Sequence, residues 1–139
     1  MRDPIYLCLS PDDPLEQPGQ SEPARFLLIA EETTSQQYKE SIAKALVRGN
    51  CLYFLAWGSE SEAWHDAVDA ANYELFESKS IPDERLIVTT WHDDEPLSEV
   101  FLFAKKNAFH PEVELQRTVL LHVSHVPQER KFLGEYAAA

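Results

Sequence analysis

The stretch RFLLIAEETTSQQYKESIAKALVRGNCLYFLAW, Arg25 to Trp57, decides the fold. It opens on RFLLIAE (Arg25–Glu31), a continuous apolar run between polar residues, as a strand buried on both faces reads. The period then changes. Tyr38, Ile42, Ala45 and Leu46 fall on one helical face. Thr34 and Gln37 have capping-box spacing, and Gly49 stands where a C′ glycine belongs. CLYFLAW (Cys51–Trp57) is a second buried strand.

The same unit recurs downstream. GSESEAWHDAVDAANYELF starts with Ser59 and Glu62 in capping-box spacing and has Trp64, Ala67, Val68, Ala71 and Leu75 on its apolar face. RLIVTTW (Arg85–Trp91) predicts a third strand, and EPLSEVFLFAKKN a third helix with Pro96 at its first position. RTVLLHVS (Arg117–Ser124) predicts another strand and PQERKFLGEY a short last helix. Upstream, residues 1–9 carry a short edge strand, IYLCL, and residues 10–23 a Pro-rich loop that reads as mobile. Strands alternating with helices over residues 24–136 predict a three-layer α/β fold with a mostly parallel sheet, Rossmann-like or flavodoxin-like, in a single domain. Ala137–Ala139 are compatible with a cloning scar and are set aside.

The totals restrict function. The chain has 139 residues and a net charge of −12, from 24 acids and 12 bases. Such a surface repels phosphates and anionic lipid, so neither nucleic acid nor a membrane is the expected partner, and a basic protein is. No run of about 18 apolar residues exists, nor a signal peptide, and Cys8 and Cys51 read as reduced, buried thiols; a cytoplasmic location follows as the expectation. With four glycines and neither GxGxxG nor GxxxxGK[ST], no phosphate cradle is present. No GxSxG elbow is present either, and no cofactor is expected.

In a parallel sheet, ligands meet the carboxyl ends of the strands. Those ends supply Glu31, Glu32, Thr33, Gly58, Ser59, His92, Asp93, Asp94, Ser124 and His125, with Glu95 crowding the same edge. One reading is a divalent-metal site on Glu31, Asp93 and Asp94 with His92 as acid/base, serving a hydrolase or phosphoryl-transfer enzyme. The plainer reading is that Thr34, Ser59 and Asp94 cap helices. His122 interrupts an apolar strand and reads as a satisfied core histidine. His92 lies beside three acids and is either a hydrogen-bonding residue or a solvated one. Trp-His-Asp occurs at Trp64–Asp66 and at Trp91–Asp93, in different contexts and so not as a repeat. If exposed, Trp57 or Trp91 becomes a candidate interface anchor.

The segment VTTWHDDEPLSEVFLFAKKNAFHP resembles a motif of a family of small bacterial proteins with no assigned activity. In that motif TTWH plus acids precedes an acidic-Val-aromatic helix; the resemblance covers Val88 to Val123. It implies a bacterial cytosolic origin, an accessory or immunity-type role, and no catalytic residues. The leading expectation is therefore a non-enzymatic acidic protein of immunity or antitoxin type that neutralises a basic toxin domain. Its expected contacts are Glu31, Glu32, Trp57, Trp91, His92, Asp93, Asp94 and Glu95. A homodimer formed through exposed aromatics is the third expectation.

Overall fold

The computed structural model describes residues 2–16, 22–77 and 80–139. Its elements are β1 (Ile5–Leu9), β2 (Ala24–Ala30), α1 (Gln36–Arg48), β3 (Cys51–Gly58), α2 (Ser61–Leu75), a 3-10 turn (Asp83–Arg85), β4 (Val88–His92), α3 (Leu97–Lys106), β5 (Arg117–Val123) and α4 (Glu129–Ala138). The strands form one parallel sheet in the order β1-β5-β2-β3-β4. This is the expected three-layer α/β architecture, with β1 at an edge.

Strand alternation sorts the core into two halves. Phe26, Leu28, Phe54 and Val119 pack under α1 and α2 with Ile42, Leu46, Trp64 and Val68. Leu27, Ile29, Leu55 and Leu120 face the other way, against Val100 and Phe101 of α3 and Phe132 of α4. Both faces are covered, which is why β2, β3 and β5 are continuously apolar. The chain runs β2-β3-β4 in one direction, then returns to place β5 on the far side of β2. The order therefore reverses between β2 and β5, where such a sheet opens a crevice at its carboxyl end.

Local details depart from the sequence reading for identifiable reasons. Thr34 does not cap α1. Its carbonyl accepts from Lys39 Nζ at 2.8 Å, and Ser35, one residue on, takes the cap, its hydroxyl accepting from Tyr38 N at 3.1 Å. Ser59 does not cap α2; Glu60 occupies that position at φ 57 with no side-chain cap. Asp94 does not cap α3 either. It is itself left-handed at φ 57, and Pro96 is extended (φ −69, ψ 148) just before the helix rather than inside it. Gly49 has an ordinary φ of −87, and Asn50 takes the left-handed turn at φ 66. β4 begins at Val88, because Arg85 belongs to the 3-10 turn and Ile87 N donates to the Asn72 side chain of α2 at 3.0 Å.

Within the Pro-rich stretch, Asp13 and Leu15 are tied to the core. Leu15 is buried in the α1/α2 core, and the Tyr38 hydroxyl donates to Asp13 O at 2.7 Å. The remainder of that loop, residues 17–21, lies outside the described residues. The terminal alanines continue the fold: α4 runs to Ala138, and Lys105 Nζ donates to Ala139 O at 3.0 Å.

Both cysteines are free thiols. Burial pushes the Cys51 thiol up to about 12. In the folded protein Cys51 is therefore expected to resist iodoacetamide at pH 8 and to react only in denaturant. Mass spectrometry of the labelled peptides checks this; full labelling of folded protein would contradict it.

Candidate functional site

The carboxyl ends of the strands form two separate groups. The first lies at the β2/β5 reversal. His122 is fully buried, yet polar on both sides. Its Nε2 lies 2.5 Å from Glu31 Oε1 and its Nδ1 lies 2.6 Å from the Tyr6 hydroxyl. Gln128 N, at the start of α4, donates to that same hydroxyl at 2.9 Å. With the Tyr6 hydroxyl donating to Nδ1, the Nε2–H tautomer faces Glu31, and the hydroxyl and both ring nitrogens have partners. Burial pushes the Tyr6 phenol up to about 12, which keeps it a donor. Chemically the chain is hydroxyl, imidazole, carboxylate, with Glu31 its exposed end. Structurally it ties β1, β5, β2 and α4 together, so His122 is the satisfied core histidine expected.

Tyr6→Phe strands His122 Nδ1 and Gln128 N–H without a partner. Unfolding stability is expected to fall by about 1–3 kcal/mol. A urea midpoint unchanged from wild type would remove this role.

Beside this chain, Glu32 grips the next turn. The His125 backbone N–H donates to its carboxylate, and His125 Nδ1 lies 2.5 Å from the other oxygen. The backbone donor is the main reason the Glu32 carboxyl titrates below the usual carboxylate range. A depressed carboxyl stabilises the fold above its unfolded value, and that contribution is lost as pH falls below it.

The second group lies at the β3/β4 corner. Trp57 is half-buried, and its indole N–H donates to Glu95 O at 2.7 Å. Its polar handle is spent inside the molecule, so only the partly exposed ring is left for a partner. Asp93 accepts from Ser61 Oγ at 2.9 Å. His92 is buried rather than solvated, bonded to Glu95 Oε2 at 2.7 Å and Thr90 Oγ1 at 2.9 Å, with its ring against Phe103. Trp91 is 43% exposed and stands over α2, its ring 4.5 Å from that of His65. The two Trp-His-Asp tripeptides thus meet in space.

The two groups do not converge. β3 lies between β2 and β4, which separates Glu31 from Asp93 by roughly 10 Å of sheet. Among the described residues no group of three or more His, Cys, Asp or Glu side chains is placed to hold a metal ion. Glu31, Asp93 and Asp94 therefore do not make the ligand set that their order along the chain suggested. Calorimetric titration with magnesium or manganese is expected to give no site-specific heat at millimolar metal; a saturable isotherm lost in Asp93→Asn would reverse this.

Residues 4–139 match a family described as a domain of unknown function, DUF7684. The chain belongs to that family. No curated protein and no solved structure matches it. Nor is any helix among the described residues long and apolar enough to cross a membrane.

Several residues at this DUF7684 edge escaped the sequence reading. Lys39 is buried and pairs with Glu60 Oε1 at 3.0 Å, its ammonium 5.6 Å from the Trp64 ring centre. Its spacing from Ile42, Ala43 and Leu46 on the buried face of α1 was the available signal. His65 and Asp69 reach β4 from α2, where Thr89 Oγ1 donates to Asp69 at 2.6 Å. Nothing in their local sequence distinguishes them from an ordinary solvated helix face.

Proposed function

We propose that this DUF7684 protein is a non-enzymatic, acidic binding domain that engages a basic protein through the β3/β4 corner. The observation that carries this reading is Trp91, 43% exposed on the α2 side of β4 where Asp66 and Asp69 are also exposed, with exposed Asp93, Asp94 and Glu95 following it in the turn to α3. Among the described residues, no lysine or arginine pairs with these five acids. Their ionic contacts run only to His65 and His92. A large exposed aromatic with carboxylates on the flanking helix and turn offers packing area together with a field that attracts cations. Glu31 and Glu32, by contrast, are bound to His122 and His125 and contribute mainly field. The most concrete form is an immunity or antitoxin-type protein that occludes a basic toxin domain; net charge of −12 supports it.

A photo-crosslinking residue at position 94, beside Trp91, with exposed position 41 on α1 as control, tests the reading in extract from the source organism. A basic protein crosslinked at 94 and not at 41, with capture falling as salt is added before illumination, is the expected result. Equal capture at both positions, or a partner indifferent to salt, would refute it.

A further inference from the structure

β4 is an unpaired edge. It pairs with β3 along Val88–His92, and among the described residues no backbone partner meets its outer side. Most native sheet edges are blunted by proline, lysine, a bulge or a covering loop. VTTWH contains no proline or lysine, and its register to β3 is continuous. The loop after α3 ties off only the approach to the strand, through His110 Nε2 and Leu86 O at 2.8 Å.

What flanks this edge is negative. Glu62, Asp66 and Asp69 lie exposed at successive turns of α2, along the face that meets Trp91 and Thr89. Asp94, Glu95 and Glu99 lie exposed where the strand ends and α3 starts. Side chains of an added strand would point alternately toward the α2 side and the α3 side, so both flanks would be reached. The opposite edge, β1, is a poorer host, since Pro4, which has no backbone N–H to offer a ladder, immediately precedes it.

We infer that the β4 edge accepts an extended basic segment of the partner as a sixth strand, with lysines or arginines alternating toward the carboxylates of α2 and of the β4–α3 turn. This rests on the acidic-corner reading and specifies its mode: backbone ladder bonds supply affinity, and the flanking acids select a basic sequence.

The test uses the full chain and a synthetic peptide of alternating lysine and valine, about six residues long to match an ordinary strand. A second peptide carries N-methyl groups on the backbone amides that would face β4, with its charge unchanged. Hydrogen exchange by mass spectrometry reads the edges separately. The expected result is slowed exchange at residues 88–92 with the first peptide, and affinity roughly tenfold or more weaker for the N-methylated one. Equal affinity for both peptides without protection at 88–92 would overturn strand addition while leaving an acidic docking surface in place. Protection at residues 5–9 instead would overturn the choice of edge. Failure of both peptides to bind at low salt would overturn strand addition and the acidic-corner reading together.

Discussion

Replacing Gly58 with alanine is expected to cost about 3–5 kcal/mol, enough to unfold many single domains outright. Gly58 ends β3 at φ +103, a backbone conformation that side-chain-bearing residues rarely adopt. A Cβ there would stand 2.2 Å from the Ala30 carbonyl oxygen of β2. That oxygen cannot withdraw, because it accepts from Ser59 N at 2.8 Å and belongs to the central strand. Strain and clash therefore add. The damage falls on the edge that carries the site, since the turn from Gly58 sets Glu60 at φ 57 to reach the buried Lys39. Gly134, inside α4, is the control. Nothing lies within 4 Å of its would-be Cβ, so Gly134→Ala is expected to stabilise by about 0.5–1 kcal/mol through helix propensity. Urea midpoints moving in opposite directions check the pair. A Gly58→Ala protein of wild-type stability would show that the turn relaxes in some other way.

Such a turn marks where reading from sequence stops. The alternation of apolar runs and helical stripes was enough for β2, β3, β5 and the helices, because burial on both faces leaves little choice of residue. Strand order was not legible: the return of β5 beside β2 depends on which face α3 packs against, and α3 is amphipathic either way. Capping failed for a related reason. Thr34, Ser59 and Asp94 are all suitable cap residues, but long-range contacts decided between them and their neighbours. Lys39, distant in sequence from the β3–α2 turn, draws in both Thr34 O and Glu60. The acids at the strand ends were found, but not their division. His122 and Glu31 are 91 residues apart, and only the sheet order shows that they pair while Asp93 belongs to another corner. The surplus of acids after Trp91 is thus partly structural, since Asp93 holds Ser61 and Glu95 holds His92 and Trp57. Asp94 has neither role, and its left-handed backbone presents it outward.

Trp91→Ala is expected to separate binding from folding. Trp91 sits at the edge of the sheet, 43% exposed, with its ring against that of His65. Truncating it leaves no sealed cavity, so the stability change should stay below about 1 kcal/mol. Trp64, with no exposed surface, is the contrast: Trp64→Ala should cost about 3–5 kcal/mol. For the basic partner the order inverts. An aromatic at the centre of an interface, ringed by groups that exclude water, commonly accounts for 2 kcal/mol or more, so Trp91→Ala should weaken binding by roughly 30-fold or more. Most of that loss belongs in the dissociation rate, because the ring contributes packing. Neutralising the acids around it, with Asp66→Asn, Asp94→Asn and Glu95→Gln together, should instead lower the association rate and flatten its salt dependence. Surface plasmon resonance of the crosslinked partner at two ionic strengths distinguishes these outcomes. If Trp91→Ala leaves the dissociation rate unchanged while the acid variant abolishes steering, the corner attracts the partner without seating it, and the anchor lies elsewhere on the sheet edge.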